Sequence, residues 1–232
     1  MKFSNRRDFI KRSCGVLAAA SQLPKAVLPS ALGLRRSVVP SDRIVLGAIG
    51  QGNRGRHDLG HFLLQPDVQC VAVCDCFSDR RMKAKAQVDN YYGSKDCKAY
   101  RYHERILERE DIDVVLIATG DRWHTPLSVL AAKAGKDVYC EKPSTMTVWE
   151  GQVLKATCDR YGTVWQCGTQ RRSNPAYRFV VDLVREGLLG RINKVITSFG
   201  PWGGNGYAIP EPVPRGFDYD RWLGPSPWAP YS

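Results

Sequence analysis

The sequence predicts an α/β fold, a doubly wound parallel sheet followed by the start of a second domain. Three observations predict it. Apolar runs alternate with amphipathic stretches from residue 43 to about residue 167, the pattern of a parallel sheet covered by helices. The first run, Ile44 to Ile49, leads directly into Gly50-Gln51-Gly52-Asn53-Arg54-Gly55. The second, Val68 to Cys74, ends in Asp75, twenty residues beyond Gly55. A strand, a Gly-x-Gly-x-x-Gly turn, a helix and a later acid make up the fingerprint of a Rossmann-type dinucleotide-binding unit. Gly50 allows the tight turn, Gly52 lets the backbone approach a pyrophosphate, and Gly55 lets the helix pack closely on the strand. Asn53 and Arg54 open that helix, whose free N–H groups and positive dipole end face the phosphates. Asp75 stands where a carboxylate accepts hydrogen bonds from the adenosine ribose, which favours NAD over NADP. Arg54, Arg80 and Arg81 are the cations within reach of a 2′-phosphate.

The elements follow in order. Helix one runs from about Asn53 to Leu64 and stops before Pro66. Helix two runs from about Ser78, as N-cap, to Tyr92, with Gly93 closing it. A short strand near Ala99-Tyr100 precedes a charged helical segment, Glu104 to Arg109. Asp113 to Ala118 reads as a buried central strand, His124 to Ala134 as a helix ended by Gly135, and Asp137 to Cys140 as another strand. Thr147 to Tyr161 is helical, and Thr163 to Cys167 closes the sheet. Asn174-Pro175 then pairs a capping residue with proline in the first helical position, opening a helix to about Glu186. Ile192 to Phe199 reads as a strand. Residues 200–232 are rich in Pro, Gly and Trp with little periodicity, and so long an irregular stretch is unusual inside a finished domain. The expected organisation is residues 1–40 as signal and linker, 41–167 as the dinucleotide-binding domain, and 168–232 as part of a substrate and oligomerisation domain inside which the sequence stops.

The net charge of +11 over 232 residues invites a nucleic-acid reading, but its distribution opposes one. Residues 1–40 hold eight Lys or Arg against the single acid Asp8 and carry +7, leaving +4 for the remainder. No basic stripe interleaved with aromatics occurs, which argues against nucleic acid as a partner. The basic start is similar to a twin-arginine export signal: Arg6-Arg7, Phe9 and Lys11 fall in register ahead of a mildly apolar stretch from Cys14 to Leu23. That stretch is too short for a stable membrane anchor. Ala18-Ala19-Ala20 and Ser30-Ala31 both offer small-residue cleavage patterns. A periplasmic or otherwise exported location is expected, after folding around a cytosolic cofactor.

Among the eight cysteines no Cys-x-x-Cys pair occurs. Cys70, Cys140 and Cys167 fall on predicted strands, where a thiol packs as a small hydrophobe, and a zinc site does not fit this spacing. His57 and His61 lie four apart on helix one, either as a metal pair lacking a third ligand or as part of a solvated face. No metal is expected.

Further motifs carry a family resemblance. Ile117-Ala118-Thr119-Gly120-Asp121-Arg122-Trp123-His124, then Gly135 to Pro143 with Glu141-Lys142-Pro143 at a strand end, resemble the glucose–fructose oxidoreductase / inositol dehydrogenase / MocA family of NAD(P)-dependent enzymes. Gly168 to Pro175 and Phe217-Asp218-Tyr219-Asp220-Arg221-Trp222-Leu223-Gly224-Pro225 are similar to exported members of it. The resemblance spans roughly residues 43–232. It implies that the second domain is an open-faced α/β layer supplying most of a substrate site and packing into homo-oligomers in the full-length protein. It implies Lys142 beside the nicotinamide, hydrogen-bonded to the reacting hydroxyl, with a surface lysine in a turn fixed by Pro143 as the other reading, and Glu141 on the cofactor or holding Lys142. Thr119, Trp123 and Gln170 would be further cofactor contacts, and His124 a second catalytic candidate, with capping or packing of its helix as the other reading. Arg171 and Arg172 either bind a polar substrate or lie in surface ion pairs. Trp202, Trp222 and Trp228 either stack on sugar rings or pack a late loop onto the core. The family's proton-transfer histidine comes from later in the second domain, and residues 193–232 contain no histidine.

The expected activity is an NAD(P)-dependent oxidoreductase acting on the hydroxyl of a sugar, polyol or related small carbohydrate. Two alternatives stay open: an NAD-dependent glycoside hydrolase of the same fold, and a truncated, non-catalytic nucleotide-binding protein.

Overall fold

The computed structural model describes residues 38, 40–198, 200 and 208–232. The export-signal assignment and Trp202 lie outside the described residues. The chain divides into two units, residues 1–42 and 43–232. In the first, Pro40–Asp42 form a 3-10 turn; everything below concerns the second.

Six parallel strands form one sheet in the order β3-β2-β1-β4-β5-β6. They are β1 (Ile44–Ile49), β2 (Val68–Cys74), β3 (Lys98–Tyr100), β4 (Val114–Ile117), β5 (Asp137–Glu141) and β6 (Trp165–Gly168). The intervening helices are α1 (Asn53–Leu63), α2 (Ser78–Tyr92), α3 (Glu104–Leu107), α4 (His124–Lys133) and α5 (Val148–Tyr161). Alternate residues of each strand face opposite sides, so both faces need cover. Leu46, Ala48 and Leu116 meet Leu59 and Leu63 of α1 and Val88 of α2 on one face. Ile49, Val115 and Ile117 meet Ile106 of α3 and Leu127 and Ala131 of α4 on the other.

Local chemistry fixes the helix ends. Thr147 and Glu150 form a reciprocal capping box at α5, and Gly162 in the left-handed region stops it. Gly93, at φ 66°, stops α2 in the same way. At the other end of α2 the structure corrects one expectation. Phe77 is the N-cap, with no side-chain bond, and Ser78 is the first helical residue. The Ser78 N–H is taken by the Gly216 carbonyl at 2.8 Å, so a distant segment supplies the cap.

After the sheet, α6 (Pro175–Arg185) begins as expected, with the Asn174 side chain accepting the Ala176 N–H at 2.9 Å. None of its residues is buried. Residues 192–198 are not a strand. No described segment lies alongside to complete a ladder, and Val195 and Ile196 stay 77% exposed; a β-prone run is a strand only when a neighbour takes its hydrogen bonds. The irregular tail instead contains a short helix, α7 (Tyr219–Leu223), capped by Asp218.

Gly55 has ordinary helical geometry, but a Cβ there would lie 1.9 Å from the Gly50 carbonyl oxygen. Gly93 is the converse, a left-handed φ with nothing within 4 Å. Gly55→Ala is expected to cost about 1–3 kcal/mol through overpacking and to abolish nucleotide binding. Gly93→Ala is expected to cost about 1–2 kcal/mol and leave binding intact. Thermal melts paired with NAD titration check both.

Candidate functional site

The carboxyl ends of β1, β2 and β4 surround a cleft of about 320 Å³. Gly50, Gly52, Asn53, Arg54, Asp75, Thr119 and Trp123 all line it, so seven of the sequence-predicted cofactor residues converge. The turn leaves no choice at Gly50: its φ is 84°, and a Cβ would sit 2.7 Å from the Ala118–Thr119 backbone. Gly52 differs, because a Cβ there would meet only the Arg80 guanidinium, at 3.8 Å. It leaves space above a helix start that no side chain caps. Uncapped N–H groups behind a glycine that clears the way suit a pyrophosphate. Gly55 lies behind the turn and acts by packing.

Asp75 is 6% exposed. One carboxylate oxygen accepts the Gln51 N–H at 2.6 Å and the other the Phe77 N–H at 2.7 Å. An ionised carboxylate has about four acceptor sites, which leaves capacity for ribose hydroxyls. The flanking thiols are inert: burial, then the Asp75 charge, push Cys74 well up and Cys76 up to about 12. Of the cations placed to reach a 2′-phosphate, Arg81 donates to the Asp75 carbonyl at 2.6 Å. Arg54 turns to Asp58 and Glu141, and Arg80 lies over the Phe77 ring at 4.3 Å.

Glu141, Lys142, Gln170 and His124 do not line the cleft. Glu141, 4% exposed, receives Arg54 Nε at 3.1 Å, Gln170 Nε2 at 2.7 Å and the Lys142 N–H at 3.2 Å. Its carboxylate is spent on protein donors, so it ties the end of β5 to the start of α1 rather than facing a ligand. Gly168 makes room for it, since a Cβ there would lie 2.7 Å from Glu141 Oε1. Gln170 is the third arm of the same cluster. His124 is placed as its packing reading expects: it is 1% exposed, with Nδ1 2.6 Å from the Pro143 carbonyl and Nε2 3.2 Å from that of Thr119. Both ring nitrogens face carbonyl oxygens, to one of which a neutral imidazole donates, and His124 is absent from the lining of the cleft. It braces the loop after β4 against the Lys142-Pro143 turn. Lys142 itself is exposed, and among the described residues nothing pairs with its ammonium.

Trp222 of α7, read from the sequence as a sugar-stacking or loop-packing residue, lines the cleft beside Arg221, and so do Arg101 and His103, to which the sequence assigned no role. Arg171 lies over the Tyr177 ring at 4.7 Å. Trp228 is 77% exposed. His57 and His61 contact edge to face at 4.6 Å, and no group of three metal-ligating side chains occurs among the described residues. All seven described cysteines are unbridged, and no described helix is long and apolar enough to cross a membrane.

Residues 44–169 match the sequence model of an oxidoreductase family with an NAD-binding Rossmann fold, GFO_IDH_MocA. Over 212 residues the chain is 32% identical to glycosyl hydrolase family 109 protein 2 of Shewanella sp. (strain ANA-3), covering 81% of this chain and 44% of that protein. It thus spans less than half the length of such curated relatives. Among solved structures, myo-inositol 2-dehydrogenase from Lactobacillus plantarum superposes with a TM-score of 0.57 at 25% identity, over 65% of this chain and 43% of that one. Scyllo-inositol dehydrogenase from Lactobacillus casei, with NAD(H) and scyllo-inositol bound, shares the fold with a TM-score of 0.56 at 21% identity, over 64% and 42% of the respective chains.

The Arg54 cluster makes stability depend on pH. Burial raises the Asp58 carboxyl above its ordinary 3.8, against the pull of Arg54 and with the push of Glu141. The folded state therefore holds this proton more tightly than the unfolded chain, and stability is lost as pH rises through the folded value. Asp58→Asn, which cannot ionise, is expected to melt progressively higher than the parent as pH rises through that window. The pH-dependent part of the difference should vanish below about pH 3.8, where Asp58 is protonated in both states. Thermal melts across this range check it; a pH-independent difference would remove Asp58 ionisation as the cause.

Proposed function

Since this chain belongs to the Gfo/Idh/MocA oxidoreductase family, whose Rossmann domain binds NAD, we propose that the full-length protein oxidises or reduces a hydroxyl-bearing carbon of a sugar or polyol. One observation carries the reading. An unpaired ammonium, Lys142, stands at the carboxyl end of β5, and its turn is braced by Glu141 from one side and by His124 through Pro143 from the other. NAD, when bound, supplies the hydride acceptor. Gly50, Gly52 and the uncapped start of α1 would hold its pyrophosphate, and Asp75 its adenosine ribose. Lys142 would donate a hydrogen bond to the reacting oxygen and stabilise negative charge as that oxygen loses its proton. The brace matters because a cation stabilises an alkoxide only where it is held in place before the charge develops.

A second reading shares these parts. The glycosyl hydrolase family 109 relative supports a glycosidase in which hydride leaves and returns within one turnover, so that no reduced cofactor accumulates. Incubating the full-length protein with NAD and a panel of polyols and glycosides separates the two. Stoichiometric NADH supports the dehydrogenase, free sugar without net NADH the glycosidase, and neither product sinks both. In whichever assay succeeds, Lys142→Met is expected to lower kcat by about 10²-fold or more while leaving NAD affinity within a factor of about 2, because Lys142 lies outside the cleft lining.

The proposal includes export by the twin-arginine route, supported by Arg6-Arg7, Phe9 and Lys11. Replacing both arginines by lysine should retain the protein in the cytosolic fraction; unchanged fractionation would reject this route.

A further inference from the structure

Residues 216–223 are far in sequence from the dinucleotide fingerprint, yet they are fastened across the carboxyl ends of β2, β3 and β4. At β2, Phe217 bridges Phe77 and stacks on its ring at 3.7 Å, and the Asp218 N–H donates to the Cys76 carbonyl at 3.1 Å. At β3, Arg101 pairs with Asp218 at 2.7 Å. At β4, Arg122 Nε reaches the carbonyls of Trp222 and Leu223 at 3.0 and 2.9 Å, and Trp123 Nε1 that of Arg221 at 2.9 Å. The result places Arg221 and Trp222 in the same cleft as Asp75.

The chemistry of this wall selects its ligand. Arg101 is neutralised by Asp218 and Arg221 by Glu104, and Arg122 directs its N–H groups at the Trp222 and Leu223 carbonyls, so the wall offers little to a phosphate. Trp222 is fixed by the Arg122 guanidinium over its ring at 4.0 Å and by stacking with Tyr219 at 5.7 Å. His103, also in the cleft, is pushed down by burial and so favours its neutral form. A rigid, aromatic, nearly neutral wall beside a ribose-binding acid fits a neutral purine nucleoside.

Resting on the cofactor reading above, we propose that residues 216–223 form the adenosine-binding wall of the cleft, with Arg221 and Trp222 touching the adenosine half of the bound dinucleotide. The wall's anchors are all contacts within the protein, so it contributes affinity with little ordering cost.

ADP and nicotinamide mononucleotide, which carry the two halves of NAD separately, test it on the full chain. Trp222→Ala is expected to weaken ADP and NAD about tenfold and to leave the mononucleotide unchanged. ADP affinity within a factor of about 2 of the parent would overturn the proposal. A measurement that needs no variant stands beside it. Saturating ADP should slow amide hydrogen exchange in residues 216–223 of the parent protein, and unchanged exchange would also overturn it. A parent that binds neither NAD nor ADP rejects the cofactor reading itself. A parent that binds both, with the wall indifferent to them, rejects only this inference.

Discussion

The site depends on a backbone contact that has no room for a methyl group. The Gly50 turn lies against Ala118-Thr119 at the end of β4, and the first turn of α1 lies against the Gly50 carbonyl. With side chains excluded, β1, β4 and α1 meet at one point. The Gln51 N–H, fixed by that meeting, holds the Asp75 carboxylate, and the same turn leaves Gly52 facing open space. The placement of the α1 start, the glycine opening and the held Asp75 carboxylate are therefore consequences of one steric constraint. Neither loop can drift without the other, because interiors packed this closely transmit displacement rather than absorb it.

Charge pairing then sets what the cleft will accept. A guanidinium beside the adenosine ribose is what a 2′-phosphate requires. Arg54 is held by two carboxylates, Arg101 and Arg221 by one each, and Arg81 by a carbonyl. Releasing Arg54, Arg101 or Arg221 would leave a buried or half-buried acid uncompensated, at a cost above that of an exposed pair. Asp75, with no basic side chain bonded to its carboxylate, adds repulsion toward a further phosphate. The balance favours NAD, with Arg80 the exception, held only by a ring face.

The sheet was legible because its determinants are local. Apolar runs, the glycine turn, Gly93 as a stop and Asn174-Pro175 as a start are each decided within a few residues. What escaped were features decided by distant partners. Ser78 looks like an N-cap, yet its N–H is claimed by Gly216. Residues 192–198 have strand composition but no described neighbour to pair with. His124 and Glu141 are residue types that suggest chemistry, and only the fold reveals that their polar atoms point at Pro143, Thr119, Arg54 and Gln170. Arg221 and Trp222 reach the cleft because a segment about a hundred residues after β4 folds back over it, a fact no periodicity encodes.

The buried acids and the histidine form a mechanical link between the glycine turn after β1 and the Lys142-Pro143 turn after β5. Arg54 belongs to α1, which opens at that glycine turn, and its guanidinium is bound to Glu141, the residue before Lys142. His124 joins the loop that walls the cleft at Thr119 to the far side of the same lysine, through Pro143. The backbone at Lys142 is thus tied to the glycine turn from both directions, while among the described residues its ammonium has no partner. An exposed lysine on a free turn would spend most of its time away from any reacting oxygen; one held between two such contacts keeps its reach without losing its charge. Glu141 and His124, the residue types that suggest acid–base chemistry, spend their polar atoms on the protein, whereas the Lys142 ammonium has no partner among the described residues.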